Sequence, residues 1–362
     1  MKVCFIVGAF PNMKCGVGDY TYNIAKRLAK NNMEVYIITS TKACNLNEDN
    51  IVVNNVISKW DFGSKDIILD LLKSINPDVV HIQYSSDEYG KSFFVNFLPK
   101  IIRNNINTKI VQTVHEYINY TFKGKLKNLI NYKYADEIIV VEKQYKLLIK
   151  KFIPIISSSL SINYVPISSN IPLSNLNNEE LICIRNGLFN KKDKVICFFG
   201  FINELKGVDI LIEILNKIVE KNKNTKLLII GELNKDNEYH KFIMNRIQEL
   251  NLEEYIVITG FLKNPVDVSN YIKLSDCAVF PFKDGVSERN GSFLAAYNQN
   301  IPIITTTLST EYNNNGVWYI NPKNIMTFVE SILYILNNKL DIKREIIDWE
   351  NIVEKHYYLY KK

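Results

Sequence analysis

The chain of 362 residues has few of the features that mark specialised protein classes. Its six cysteines, at positions 4, 15, 44, 183, 197 and 277, show neither CxxC nor zinc-ligand spacing. Cys4, Cys197 and Cys277 fall inside apolar runs, so we expect buried, reduced thiols. No apolar run is long enough to span a bilayer, and no signal peptide precedes the first apolar segment, which indicates a cytoplasmic protein. The four histidines are scattered, so no metal site is expected.

Short repeats and low-complexity tracts are also missing, and what remains is a regular alternation of apolar strands with amphipathic helices. This alternation is typical of doubly wound α/β domains with parallel sheets. The length is too great for one typical core and suits two domains. Tyr164–Pro172 has two prolines and two serines between apolar runs, which predicts the interdomain linker.

The chain opens with a strand–loop–helix–strand unit. Lys2–Gly8 and Glu34–Ser40 are predicted strands, and a helix is predicted over Tyr20–Asn31. The loop before that helix faces the ligand side of such a sheet. Gly16 and Gly18 in this loop do not complete G-x-G-x-x-G, and isolated GxG pairs are common in turns. A tight turn and contact with a phosphate or sugar are therefore equally supported.

A second informative stretch is Asp276–Thr307, DCAVFPFKDGVSERNGSFLAAYNQNIPIITTT. It predicts a buried strand, a polar loop, a helix and another strand. Such a loop can hold an anion, because the N–H groups of the first helical turn lack partners and Gly291 allows close approach. Glu288 disfavours a bare phosphate and suits sugar hydroxyls. The pattern therefore fits a sugar joined to a diphosphate, although Glu288 and Arg289 could simply solvate the loop.

The string DGVSERNGSFLAA…IPIITT resembles the donor-binding loop of family 4 glycosyltransferases, which have the GT-B fold of two Rossmann-like domains facing a central cleft. In their E-x7-E pattern the first Glu binds sugar hydroxyls and the second binds the ribose. Glu288 matches the first position, and the second falls on Ala296. The segment Asp348–Tyr360 resembles the family's terminal helix. The resemblance covers nearly the whole chain and implies an N-terminal acceptor-side domain over 1–168, a nucleotide-sugar domain over 169–345 and a terminal helix over 346–362 that crosses back to the first domain.

The segment between Gly200 and Gly207, FINELK, resembles the family pattern G-R-x4-K-G, in which Arg and Lys bind the diphosphate. Lys206 matches the Lys, but Phe201 occupies the Arg position. Arg289 is the candidate substitute. The donor-binding residues implied by the resemblance are Gly16, Gly18, Asn203, Glu232, Phe261, Leu262, Arg289, Asn290, Gly291 and Ser292.

The first domain supplies further candidates. Lys109–Val114 is a predicted strand that places His115 at its carboxyl end, where ligands bind in open α/β sheets. A histidine at such a place is more often structural, but TVHEY resembles the family loop whose His contacts the donor sugar. The resemblance therefore implies a catalytic set of His115, Lys206 and Glu288. Acceptor-side candidates on neighbouring strand ends are Asp19, Gln83 and Tyr84.

The segment Ile118–Phe152 contains eight lysines and three acidic residues, and tyrosines and phenylalanines are interleaved with the lysines. This mixture suits an anionic membrane surface or a phosphorylated acceptor. We expect contact through Lys123, Lys125, Lys127 and Lys133, and a peripheral position on the inner face of the membrane. A solvated basic face is the alternative. Nucleic acid would suit the charge, but no nucleic-acid motif accompanies it.

The resemblance implies a retaining glycosyltransferase that moves a sugar from a nucleotide-diphosphate sugar to a hydroxyl of a glycan, lipid-linked or small-molecule acceptor, in the assembly of cell-envelope glycans or polysaccharides. Lysine and helix dipole would replace a metal, so neither a metal nor a cofactor is expected. Two alternatives stay open. One is a GT-B nucleotide-sugar epimerase, for which no convincing acid/base pair is found. The other is a non-catalytic nucleotide-sugar-binding paralogue, which the residues Phe201 and Ala296 would favour.

Overall fold

The computed structural model describes residues 1–13, 15–46, 48–90, 92–118, 120–153 and 160–362. The chain divides into two compact units. Unit 1 comprises Met1–Ser168 together with Ile347–Lys362, and unit 2 comprises Ser169–Ile346. Unit 2 is therefore inserted between two segments of unit 1.

Unit 1 contains a seven-stranded parallel sheet in the order β3-β2-β1-β4-β5-β6-β7. Its strands are β1 Lys2–Ile6, β2 Glu34–Ser40, β3 Ile51–Ile57, β4 Val79–Tyr84, β5 Lys109–Val114, β6 Glu137–Val140 and β7 Ile162–Tyr164. The helices before residue 169 are α1 Gly16–Lys30, α2 Lys65–Ile75, α3 Phe94–Asn105, α4 Phe122–Tyr134 and α5 Lys143–Phe152, with a 3-10 turn at Phe62–Ser64. The strand order reverses beside β1, so the edge beyond the carboxyl ends of β1 and β4 is the place where such sheets bind ligands.

Unit 2 repeats this plan with the strand order β10-β9-β8-β11-β12-β14-β13, in which only the β13–β14 pair is antiparallel. Its strands are β8 Lys194–Phe199, β9 Thr225–Ile230, β10 Ile256–Ile258, β11 Cys277–Phe280, β12 Ile303–Thr306, β13 Tyr312–Asn314 and β14 Val317–Ile320. Its helices are α6 Asn178–Leu188, α7 Val208–Lys221, α8 Glu238–Glu249, α9 Pro265–Lys273, α10 Gly291–Asn298 and α11 Ile325–Asn337, with 3-10 turns at Glu204–Lys206 and Glu253–Tyr255. In this sheet the strand order reverses beside β8, so the edge where such sheets bind ligands lies beyond the carboxyl ends of β8 and β11.

The last helix, α12 Trp349–Lys361, belongs to unit 1. Asp348 caps its N-terminus by accepting a hydrogen bond from the Asn351 amide at 2.7 Å. Its apolar face joins the core around β1, β2 and α1 through Trp349, Ile352, Val353, Leu359 and Tyr360. Burial of this face, rather than helix propensity, holds the helix in place.

The predicted fold class is confirmed, since each unit is a doubly wound α/β sheet of the Rossmann-like type. Cys4, Cys197 and Cys277 are fully buried in β1, β8 and β11, as predicted. No helix in the described part of the chain is long and apolar enough to cross a bilayer.

Candidate functional site

In unit 2, the loop after β8 and the loop after β11 approach each other closely. Gly207 has a φ of +69°, and a Cβ added to it would lie 2.0 Å from the carbonyl oxygen of Pro281. A Cβ on Gly200 would lie 2.5 Å from Oγ of Ser292. The Lys283 amide donates to the Leu205 carbonyl at 3.0 Å, which ties the two loops together. A side chain at position 207 would overlap the backbone of Pro281, and one at position 200 would overlap the side chain of Ser292, so both positions require glycine.

Lys206 lies at the end of the 3-10 turn after β8, with its ammonium group 4.6 Å from the centroid of the Phe282 ring. Asn203 shapes this turn, because its side-chain oxygen accepts the Lys206 amide at 3.2 Å. Burial lowers the pKa of Lys206. A partly desolvated ammonium interacts more strongly with an anion than one in bulk water does.

The N-terminus of α10 lies on the same edge. Asn290 precedes the helix but does not cap it with its side chain. Its side-chain oxygen instead accepts from the amide and hydroxyl of Ser287, at 2.6 and 2.9 Å. The N–H groups in the first turn of a helix have no intrahelical acceptors. In α10 these groups include the amides of Gly291 and Ser292. Lys206 and this helix terminus together are a suitable environment for a diphosphate.

Other predicted donor residues lie at neighbouring positions of this edge. Glu288 is exposed and Arg289 half-buried, both in the turn Ser287–Asn290, which is closed by a backbone hydrogen bond at 3.1 Å. Glu232 follows β9, and the pair Phe261 and Leu262 follows β10. The two departures from the family pattern differ in environment, because Phe201 is 73% exposed whereas Ala296 is completely buried. A side chain at position 296 thus points into the core of unit 2.

Replacing Gly207 with alanine is expected to lower the stability of unit 2 by about 2–3 kcal/mol, because the new methyl group would overlap the Pro281 carbonyl and the backbone has a positive φ. Gly187→Ala is the matched control, since nothing lies within 4 Å of its added Cβ and its φ is not positive. Hydrogen exchange of amides in β8 and β11 measures the effect. Equal protection in both variants would contradict the expectation.

In unit 1, the two glycines of the first loop have different surroundings. A Cβ on Gly18 would lie 2.8 Å from the carbonyl oxygen of Ala9, so Gly18 is needed for packing of α1 on the loop after β1. Nothing lies within 4 Å of a Cβ added to Gly16. Asp19 lies in the first turn of α1, and burial raises its pKa.

Sequence reasoning missed a carboxyl group at this edge. Glu88 follows β4 and accepts a hydrogen bond from the thiol of Cys15 at 2.6 Å, while its other oxygen is buried without a partner among the described residues. Burial raises the pKa of Glu88 to about 8, and the neighbouring Glu116 adds to that shift. Gly8 makes room for this residue, since an added Cβ would lie 2.8 Å from Cβ of Glu88. Gly8 and Glu88 are far apart in the sequence, so no local sequence pattern predicts that they come into contact.

The remaining candidates of unit 1 are buried at the ends of β4 and β5. His115 is 3% exposed, and its Nε2 lies 2.8 Å from Oε1 of Gln83. Gln83 itself is completely buried. Tyr84 accepts a hydrogen bond from Asn96 at 2.9 Å. The acceptor-side roles of Gln83, Tyr84 and Asp19 stay predictions.

The histidines, scattered in sequence, are partly gathered in the fold. His81, His115 and His356 lie in one buried region of unit 1, whereas His240 is in unit 2. Within the described residues no three His, Cys, Asp or Glu side chains are arranged as metal ligands. The expected metal independence stays a prediction.

Comparison with known proteins gives a consistent picture. Residues 183–349, somewhat less than half of the chain, match the family model "Glycosyl transferases group 1". An uncharacterized glycosyltransferase of Methanocaldococcus jannaschii, MJ1059, is 30% identical over 252 residues, which are 67% of this chain and 59% of that protein. A second one, MJ1607, is 28% identical over 203 residues, 52% of this chain and 50% of that protein. The matched part of the chain thus spans between half and three fifths of the length of these two relatives.

Solved structures resemble the whole chain. A glycosyltransferase from Rickettsia africae has a TM-score of 0.77 at 17% identity, with 99% of this chain and 97% of that one covered. Anabaena HepE in complex with UDP has a TM-score of 0.75 at 13% identity and full coverage of both chains. Sucrose-phosphate synthase of Thermosynechococcus elongatus has a TM-score of 0.72 at 14% identity, with 100% and 98% covered. These likenesses confirm the GT-B fold.

Proposed function

We propose that the protein is a retaining glycosyltransferase of family 4 that takes its sugar from a nucleotide-diphosphate donor. The observation that carries the proposal is that Lys206, in the loop after β8, and the N-terminus of α10 both lie on the ligand edge of unit 2, where the loop after β8 approaches Ser292 at Gly200. The match of residues 183–349 to group 1 glycosyl transferases supports it. So does Anabaena HepE, a structural neighbour that was solved with UDP and with UDP-glucose.

In this proposal the diphosphate is the leaving group, and negative charge grows on it as the glycosidic bond breaks. Lys206 and the amides of Gly291 and Ser292 stabilise that charge, and they accelerate the reaction because they are already oriented before it occurs. Glu288 and His115 bind hydroxyls of the sugar. The acceptor hydroxyl attacks from the face that the diphosphate leaves and gives its proton to an oxygen of the leaving diphosphate, so the anomeric configuration is retained without a covalent enzyme intermediate. Metal is not required, because lysine and helix dipole neutralise the diphosphate.

The test is a panel of UDP, GDP, ADP, dTDP and their common sugar derivatives. Thermal shift detects the donor, because a ligand at 100 times its Kd stabilises the folded protein by about 2.7 kcal/mol. Donor turnover is then measured with and without candidate acceptors. Transfer only with an acceptor supports the proposal. Turnover without any acceptor would indicate an epimerase or a hydrolase, and binding without turnover would indicate a non-catalytic protein.

We also propose that α4 contacts an anionic membrane surface and so brings the enzyme to a lipid-linked acceptor in cell-envelope glycan assembly. Phe122 is 68% exposed and Leu126 is 43% exposed, and they alternate with the exposed Lys123 and Lys127 on one side of the helix. Apolar side chains next to lysines are typical of helices that lie in the membrane interface.

The double variant Lys123→Ala/Lys127→Ala is expected to bind vesicles of anionic lipid about 30-fold more weakly, at about 1 kcal/mol per lysine. Co-sedimentation at low and high salt measures this. Lys191→Ala/Lys192→Ala, which removes two exposed lysines of unit 2, is the control. Equal binding of both variants, or no salt dependence, would contradict membrane contact through α4.

A further inference from the structure

An acidic residue lies close in the chain to Lys206, the cation of the candidate diphosphate site. Asp209 follows Lys206 by three positions and lies in the first turn of α7. A lysine side chain is long and flexible, and it can turn towards a carboxylate that is this near in the chain. Among the described residues Lys206 nevertheless makes no ion pair, and burial is the cause that lowers its pKa. Other groups therefore hold the carboxylate of Asp209.

Both oxygens of Asp209 are bound by residues from other elements of unit 2. The ammonium group of Lys283, in the loop after β11, lies 2.8 Å from Oδ2 of Asp209. The hydroxyl of Tyr239 in α8 donates to Oδ1 at 2.8 Å. The side chains of Lys283 and Asp209 are 36% and 25% exposed, so water weakens this ion pair less than it weakens one at an open surface.

Lys283 is attached to the segment around Lys206 at two points. Its backbone amide donates to the carbonyl of Leu205, immediately before Lys206, at 3.0 Å. Its side chain binds Asp209, which comes after Lys206. The residue before Lys283 is Phe282, whose ring centroid lies 4.6 Å from the ammonium group of Lys206. The start of the loop after β11 thus contacts Lys206 itself and the residues on both sides of it.

We propose that Lys283 is a positioning residue of the diphosphate site, because it engages Asp209 and so leaves the ammonium group of Lys206 available for the ligand. The inference rests on the proposed function, in which Lys206 binds the diphosphate. Without Lys283, Oδ2 of Asp209 would be open to the ammonium group of Lys206. The uncompensated carboxylate would also repel a diphosphate on the same edge of unit 2. Lys283 therefore acts through Asp209 and Lys206, and its own ammonium group does not bind the ligand.

Two variants separate this role from direct contact between Lys283 and the diphosphate. The probe is the nucleoside diphosphate that binds best among UDP, GDP, ADP and dTDP. Lys283→Met should weaken its binding about tenfold. Lys283→Met/Asp209→Asn also removes the acid, so its affinity should return to within about twofold of the native value. A double variant as weak as the single one would overturn the proposal, and so would an unchanged affinity in Lys283→Met.

Arg246→Met is the matched control for the loss of a half-buried ion pair in unit 2. Arg246 in α8 binds Glu213 in α7 at 2.6 Å, and the two side chains are 33% and 34% exposed. Both residues lie further along their helices than Tyr239 and Asp209 do, away from the ligand edge. Arg246→Met should bind the nucleoside diphosphate as the native protein does. A tenfold loss in this variant too would overturn the proposal, because any lost cation of the unit would then have the same effect.

Chemical labelling of Lys206 tests the inference without any nucleotide. Acetic anhydride modifies only the neutral amine, and mass spectrometry of the peptide that contains Lys206 gives its labelling rate at a fixed pH. In Lys283→Met, pairing with Asp209 should stabilise the ammonium form of Lys206 and slow its labelling, and Lys283→Met/Asp209→Asn should restore the native rate. Equal rates in the native protein and Lys283→Met would overturn the proposal. If no nucleotide binds the native protein, the proposed function fails, while the labelling rates still decide whether Lys283 keeps Asp209 from Lys206.

Discussion

Lys206→Met is expected to lower kcat/KM for sugar transfer by about 10²–10³-fold. Methionine has a similar length and can fill the same place beside the Phe282 ring, so the substitution removes mainly the positive charge, together with its interaction with that ring. That charge is worth more than one at an open surface, because burial lowers the pKa of Lys206 and weakens its hydration. Most of the loss should be in kcat, since the charge on the diphosphate grows in the transition state.

Lys235→Met provides the control, because Lys235 is an exposed lysine in the loop after β9 of the same unit. If this variant loses as much activity as Lys206→Met, the loss results from the lower positive charge of the unit as a whole. The proposal that Lys206 itself stabilises the diphosphate is then wrong. Arg289→Ala tests the cation proposed to replace the arginine missing at Phe201. It should weaken binding of the nucleotide diphosphate as much as loss of Lys206 does, and an unchanged affinity would exclude it.

Acid is expected to destabilise unit 1 through its buried histidines. His356 donates from Nδ1 to the Ile352 carbonyl at 2.8 Å and accepts from the hydroxyl of Tyr20 at 3.1 Å, so it is neutral in the folded protein. Burial lowers its pKa from 6.5 to about 4. Burial also holds the pKa of His81 well below its usual value, and the nearby His356 and His115 add to this.

Between pH 6.5 and about 4, the unfolded chain binds a proton at His356 that the folded chain excludes. Stability therefore falls as the pH falls through this range, by about 3 kcal/mol for His356 alone. Glu88 acts in the opposite direction: burial raises its pKa from 4.5 to about 8, so its contribution to stability decreases as the pH rises between these values. The free energy of unfolding of the whole protein, measured against pH, thus contains both the contribution of His356, which rises with pH, and that of Glu88, which falls with pH.

Comparison with His356→Gln isolates the histidine, because Glu88 is the same in both proteins and glutamine can still accept from Tyr20. Hydrogen exchange of β1 and β4 amides at several pH values gives the free energy of unfolding of unit 1. The advantage of the native protein over the variant should decrease by about 3 kcal/mol from neutral pH to pH 4. A constant difference would mean that His356 is not buried in its neutral form.

Much of the fold could be predicted because the apolar runs are long and fully buried. The predicted bounds of β2 and β5, Glu34–Ser40 and Lys109–Val114, agree with the structure. The prediction did not contain β3, Ile51–Ile57, because two asparagines interrupt its apolar run and its inner residues are only partly buried. Helix α1 begins at Gly16, earlier than predicted, since neither its glycines nor its N-cap Cys15 gives a helix-start signal.

The site residues that stand in short sequence motifs could be predicted. The residues that the fold brings together from distant parts of the chain could not. Lys206 and Gly291 stand in short local patterns, and the structure places both on one edge of unit 2. His81 and Gln83 alternate on β4, and this spacing does put both side chains on the same face. Tyr360, the hydrogen-bond partner of His81, is however 279 residues away from it, and no local pattern can connect residues at that separation.

The insertion of unit 2 into unit 1 has a consequence for synthesis of the protein. Unit 1 cannot be completed until α12 emerges, and α12 is translated only after the whole of unit 2. Translation of the intervening residues 169–346 takes about 10–35 s at 5–20 residues per second. During that time the nascent chain lacks the partners of Tyr20 and His81, and the apolar surface that α12 covers is exposed on the ribosome. A chaperone that binds this surface would protect the chain, and a stop codon before Trp349 would leave a product whose first domain stays open to proteolysis.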